Sequence, residues 1–450
     1  MKKIKVAFIC QNCGHQSPKW MGKCPSCSEW NQFVEEEVRG GGKPPEIGFD
    51  EVPVPIVDIE ADEKDRLKTS IADMDRVLGG GIVRGSAVLI GGDPGIGKST
   101  LLLQVMDKLA NKGLKVLYVS GEESGRQIKL RGKRIGASSP HLFILVEISL
   151  ENILKYIREL EPAAVVVDSI QTIYSSDLSS APGSVSQVRE AAEKLILNSK
   201  KTGIPIFLIG HVTKEGAIAG PRVLEHMVDT VLYFEGDSGH TFRIVRSVKN
   251  RFGPTNEIAV FEMKGDGLSE VTNPSALFLS ERPKGAAGSI VVPSIEGTRP
   301  ILVEIQSLVS ENTFGIPRRT TIGVDHHRVS LLAAVLDRVC GFHLGNHDIF
   351  INVAGGIKLD EPAVDLGIVS SMISSFLDRP IDAATVVCGE VGLTGEVRGV
   401  NQLVSRIREA GRMGFTRCVL PRIPLSDIAS KENVELIEIA TVKELLGCLF

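Results

Sequence analysis

Three stretches of this 450-residue chain carry chemistry in their residue types and spacing. In CQNCGHQSPKWMGKCPSC, Cys10, Cys13, Cys24 and Cys27 stand as C-x2-C-x10-C-x2-C. Two knuckles of that spacing can bring four thiolates to the corners of one tetrahedron, the geometry that suits Zn2+. A module spanning residues 1–38 has little to bury, so the metal is expected to supply most of its folding energy. His15 is a spare ligand or a solvent-facing loop residue. Trp20 and Trp30 both fall here and are expected to form the small core, a contact surface being the alternative.

The second stretch is AVLIGGDPGIGKSTLLLQV, an apolar strand pattern, a glycine-rich turn and a helical pattern. Gly92, Asp93, Pro94, Gly95, Ile96, Gly97, Lys98, Ser99 and Thr100 fit the phosphate-binding loop of ATP-binding proteins. Gly95 and Gly97 let backbone N–H groups turn toward the phosphates, and the helix N-terminus adds its dipole. Lys98 is expected to reach the β/γ oxygens and Ser99 to hold Mg2+. AAVVVDSIQT ends an apolar run at Asp168, whose carboxylate would hold the metal's water shell. KVLYVSGEES ends another at Glu122 and Glu123. One of them would activate water, Glu122 first and Glu123 as its alternate; a helix N-terminal acidic pair is the competing role. The apolar run of IPIFLIGHVTKEG ends at His211, either a γ-phosphate sensor or a plain loop histidine.

A third stretch, RSVKNRFGPTN, holds Lys249, Asn250, Arg251, Phe252 and Gly253. Lys249 and Arg251 stand two apart, so an extended chain projects both to one side. They follow the alternating run TFRIVRSV, after all the strands whose ends would build the chain's own nucleotide site.

The elements that must position these residues follow from pattern. From Ser86 to Met263, short β-branched runs alternate with helix-length segments, the signature of a parallel sheet with crossover helices. The expected order is a zinc finger (1–38), a Gly/Pro-rich acidic linker (39–69), an α/β ATPase domain (70–280) and a second α/β domain (285–450), its helices near 326–340, 363–378 and 400–413. Cys340, Cys388, Cys418 and Cys448 are scattered and read as small buried residues. The formal net charge of −4 leaves nucleic acid open as a partner. No apolar run reaches membrane-spanning length and the start lacks a signal-peptide pattern, so a cytoplasmic location is expected.

The order CQNC…CPSC, GGDPGIGKST, YVSGEES, VVVDSIQT, GHVTKEG and above all KNRFG resembles the bacterial RadA (Sms) family of DNA-repair proteins over nearly the whole length. The resemblance implies a RecA-like, DNA-dependent ATPase core that assembles into a hexameric ring on single-stranded or branched DNA. It further implies branch migration of recombination intermediates alongside the recombinase RecA. In such rings residues 249–253 lie at the subunit boundary, so Lys249 and Arg251 would face a neighbour's γ-phosphate. Lys214 and Arg222 would lie in the DNA loops; the basic run at 126–134 is a weaker candidate for DNA. The C-terminal domain is similar to the proteolytic domain of Lon, but Ala363 stands where the nucleophilic Ser is expected and Val404 where the Lys base is expected. Neither side chain can attack or accept a proton. Ser370 and Ser371 read as packing residues. The competing reading is an ATP-regulated signalling ring of the KaiC kind, indifferent to DNA; an ATP-dependent peptidase comes third.

Overall fold

The computed structural model describes residues 5–10, 15–38, 53–58, 66–178, 180–210, 223–236, 242–312, 315–422 and 434–450. Cys13, His211, Lys214 and Arg222 lie outside the described residues. The chain divides into two units, Met1–Glu270 and Val271–Phe450.

The first unit opens with a small antiparallel sheet, β1 (Lys5–Cys10), β2 (Gln16–Ser17) and β3 (Phe33–Val38), in the order β2-β1-β3. Its core is Cys10, Cys24 and Phe33, with Phe8, Met21 and Cys27 packed against them. Trp20 and Trp30 are 52% and 64% exposed, which corrects the expectation that they form that core. Three thiols and one phenyl ring already fill the space so small a module can enclose.

The ATPase sheet follows the alternation of apolar runs. Its elements are α1 (Ala72–Val77), β4 (Ala87–Gly92), α2 (Lys98–Ala110), β5 (Val116–Ser120), α3 (Gly125–Arg134), β6 (Leu142–Val146), α4 (Leu150–Leu160), β7 (Ala164–Asp168), α5 (Val185–Thr202), β8 (Ile206–Ile209), α6 (Val223–Met227), β9 (Thr230–Glu235), β10 (Phe242–Asn250), β11 (Ile258–Lys264) and β12 (Gly267–Glu270). The described strands pair in the order β12-β11-β10-β9-β4-β8-β7-β5-β6. From β9 to β6 the pairing is parallel, and β10, β11 and β12 extend it as an antiparallel meander. Every residue of β4, β5 and β7 is buried, as expected of strands covered by helices on both faces.

Arg66–Thr69, expected as linker, belong to this body. Leu67 and Ile82 exchange backbone bonds of 2.8 and 2.9 Å, and Thr69 is fully buried. The division after Glu270 also precedes the expected joint. Ser275, on α7 (Pro274–Phe278), donates to Glu409 at 2.6 Å and accepts from the backbone N–H of Leu302 at 3.1 Å, which ties α7 to the second unit.

That unit comprises β13 (Ser289–Glu296), β14 (Arg299–Glu311), β15 (Arg319–Ile322), α8 (His326–Val335), β16 (His347–Val353), α9 (Asp365–Leu377), β17 (Thr385–Val387), β18 (Glu390–Val391), β19 (Val397–Arg398), α10 (Leu403–Arg412), β20 (Arg417–Pro421), β21 (Glu435–Ile439) and α11 (Val442–Leu449). Its main sheet runs β15-β16-β14-β13-β17-β20-β21.

Candidate functional site

At the C-terminal edge of the parallel strands the expected phosphate loop leaves β4 and enters α2 at Lys98. Asp93, Pro94 and Gly95 form the exposed crest, whereas the side chains of Ile96 and Thr100 are buried. Lys98 Nζ donates to the carbonyls of Gly92 (2.6 Å) and Asp93 (2.8 Å). Burial lowers its pKa from the ordinary lysine value, opposed by Asp168, Asp93 and Glu122, so these carboxylates converge on one ammonium.

Register brings the acids together. β5 and β7 run parallel with Ser120 beside Asp168, and Gly121 N–H donates to the Asp168 carbonyl at 2.9 Å. Gly121 allows that close passage: a Cβ there would sit 2.1 Å from Thr172 Oγ1. Beyond this point the two glutamates part. Glu122 is exposed and accepts a hydrogen bond from Ser169 Oγ. Glu123 is tied to Arg131 of α3. One member of the basic run at 126–134 therefore faces inward, while Arg126, Lys129, Lys133 and Arg134 are exposed.

Sequence reasoning missed Tyr118. Fully buried on β5, its hydroxyl donates to Asp168 Oδ2 at 2.5 Å and also interacts with the Ser99 side chain. Burial, then the Asp168 carboxylate, pushes its pKa well above the ordinary phenol value. The signal was a residue with a polar handle inside an otherwise apolar strand. Ser99 and Asp168, the pair expected to serve Mg2+, thus meet one phenol.

Lys249 and Arg251 lie at the other edge of the sheet. β10 runs antiparallel to β9, with Asn250 beside Thr230, and Thr230 in turn pairs with Val88 at the start of β4. The phosphate loop begins at Gly92, four residues or roughly 13 Å further along that strand. An irregularity between Ser247 and Lys249 turns the end of β10. Lys249 Nζ donates to the carbonyls of Glu225 (2.7 Å), His226 (3.2 Å) and Val228 (2.7 Å) around the end of α6. Burial, then the Arg251 charge, lowers its pKa. Arg251 is half exposed and meets Asp229. The rest of the stretch is anchored on the turn after α1. Asn250 Nδ2 donates to Val77 O at 3.2 Å, and a Cβ on Gly253 would lie 2.5 Å from Gly79 Cα.

In the small N-terminal module the thiols of Cys10, Cys24 and Cys27 lie within 4.8 Å of one another, with Cys10 and Cys27 sulfurs 3.7 Å apart. Zinc–sulfur bonds of about 2.3 Å make the edge of a ZnS4 tetrahedron roughly 3.8 Å, so the donor set fits the metal.

A family described as an AAA domain matches residues 53–217, the rubredoxin metal binding domain matches 8–35, and subunit ChlI of Mg-chelatase matches 305–423. The whole chain is 56% identical to the DNA repair protein RadA of Bacillus subtilis, covering 99% of each. It is 52% identical to that of Halalkalibacterium halodurans over 99% of each, and 51% identical to that of Streptococcus pyogenes over 100% of each. The chain belongs to the DNA repair protein RadA family.

As a RadA-family ATPase it takes ATP with Mg2+, and its zinc ribbon, with the cluster of thiols, takes Zn2+. Ser99 and Asp168 fit a hard cation, being oxygen donors close together at the loop. Among the described residues no helix is long and apolar enough to cross a membrane.

The second unit of this RadA-family chain clamps the segment where a Lon-type nucleophile is expected. Ala363 is buried between Glu361, which accepts from both terminal guanidinium nitrogens of buried Arg406 (2.7 and 2.5 Å), and Asp365, which pairs with Arg328. Val404 projects as a half-exposed hydrocarbon from the first turn of α10. Ser370 and Ser371 are buried and donate to Leu366 O and Ile368 O of their own helix, which suits packing residues.

Proposed function

We propose that this chain is a DNA-dependent ATPase that works as a homo-oligomeric, six-membered ring and promotes branch migration of recombination intermediates alongside RecA. Lys98 and the loop amides bind the phosphates, Ser99 and Asp168 hold Mg2+, and Glu122 prepares the attacking water. Lys249 and Arg251 complete the site of the next subunit. There they neutralise charge on the transferring phosphoryl group, a contribution on the order of a thousandfold or more in rate.

One observation carries this reading: the two cations sit at the sheet edge opposite their own phosphate loop. Among the described residues of the chain Arg251 meets only the Asp229 carboxylate, so a phosphate for the two cations would come from another subunit. Hydrolysis then depends on assembly, as a ring motor requires. Family membership supplies the connection to DNA repair. Lys214 and Arg222, between β8 and α6, are proposed to contact the strand.

The deciding experiment is the ATPase rate of the full chain with and without single-stranded DNA. Stimulation supports the motor. Indifference to DNA, with intact ATP turnover, favours the signalling ring instead.

A further inference from the structure

We propose that Trp20 and Trp30 form a base-stacking platform for single-stranded DNA on the zinc-binding module, separate from the nucleotide machinery. Both rings stay more than half exposed although the module has little else to bury. They are held by structure: Lys23 and Trp30 pair across an antiparallel bridge, and Asn31 N–H donates to Gly22 O at 2.7 Å. Between them the knuckle is closed by Cys24 N–H on Glu29 O (2.8 Å) and Ser28 N–H on Cys24 O (2.9 Å).

The rings meet over Gly22. A Cβ built there would touch Trp20 Cη2 at 3.7 Å and Trp30 Cζ3 at 3.8 Å, so the two indoles share one patch. Charge selects the occupant. Lys23 Nζ lies 5.6 Å from the Trp30 ring centroid, and Lys19, also exposed, precedes Trp20; Glu29, an exposed acid, precedes Trp30. Aromatic faces flanked by cations match a single strand, whose bases stack on the rings while its phosphates meet the ammonium groups. Stacking of this kind tolerates any sequence, as a repair protein acting on arbitrary DNA requires.

The test uses the zinc-loaded full chain and oligothymidylate. These are the chain's two tryptophans, so their emission reports this site alone. Binding is expected to quench it. Trp20→Ala and Trp30→Ala should each weaken binding roughly tenfold, Trp20→Phe and Trp30→Phe much less, with zinc content and nucleotide affinity unchanged. Lys23→Gln should lower the salt dependence of binding. If anisotropy shows DNA bound with unquenched emission and unaltered affinity in both alanine variants, the proposal fails and the patch belongs to a protein partner. Quenching together with a DNA-indifferent ATPase would keep the platform and sink the motor.

Discussion

Arg251 and Asp229 meet twice. The backbone N–H of Arg251 donates to Asp229 O at 3.2 Å, and Arg251 Nη1 lies 3.2 Å from Asp229 Oδ1. The other oxygen of that buried carboxylate accepts the N–H of Ala87 at 3.0 Å, at the root of the strand leading to the phosphate loop. Arg251→Ala leaves the Ala87 bond in place, so ATP binding should stay near normal while hydrolysis falls on the order of a thousandfold. Mixing it with Lys98→Ala should restore activity at boundaries that pair an intact loop with an intact Arg251. No recovery, with subunit exchange verified, returns the two cations to another role.

The two glutamates should separate kinetically. Glu122→Gln is expected to bind ATP but turn it over about a hundredfold or more slowly, because only activation of water is lost. Glu123→Gln removes the partner of Arg131 and should cost far less turnover. Steady-state hydrolysis of both variants checks this; the reverse order moves the role to Glu123.

Lys98 predicts an alkaline limit. Its pKa is lowered by burial, so above neutrality it loses its proton earlier than an ordinary lysine, and affinity for the phosphates should fall with it. In the nucleotide-free fold the sign is opposite. Between the lowered value and the ordinary 10.5 the unfolded chain binds more protons, so stability rises with pH in that window. Fluorescent-nucleotide titrations across the alkaline range should show the loss in the native chain; the same slope in Lys98→Ala would assign it elsewhere.

Removing zinc should be a local event. The module's core of Cys10, Cys24 and Phe33 is distinct from the clusters that hold the ATPase sheet. Chelation, or Cys24→Ser, is expected to expose reactive thiols to a colorimetric reagent while nucleotide affinity stays within about twofold, since the metal supplies folding energy only to its own module. A large loss of ATP binding on chelation would contradict that independence.

The clamped segment of the second unit should carry out no peptidase chemistry and should be sensitive to loss of its clamp. With Ala363 and Val404 in place, unfolded substrate protein should survive incubation with the chain and ATP. Glu361→Ala strands the buried Arg406 charge and should destabilise this unit by about 3 to 5 kcal/mol, read as a lowered unfolding temperature in calorimetry. Peptide release that disappears in an ATPase-dead variant would overturn the first expectation.

What the chain states in its own letters is chemistry confined to short stretches. The loop of Gly92–Thr100 and the cysteine pairs act within a few turns of backbone, so spacing alone predicts their geometry. The β-branched runs likewise announce a buried parallel sheet. Contacts made across strands were not legible. Tyr118 and Asp168 are 50 residues apart and meet because β5 pairs with β7 in one register. Glu122 and Glu123 look alike in sequence and part only because α3 delivers Arg131 to one of them. The carbonyls around Lys249 depend on where β10 loses register against β9. Whether Trp20 and Trp30 are inside or outside was decided by competition for a volume that three thiols and Phe33 had already filled. Spacing carries local geometry because the backbone is stiff over a few residues; pairing and packing are settled by the whole body, where each side chain's place depends on what its neighbours leave.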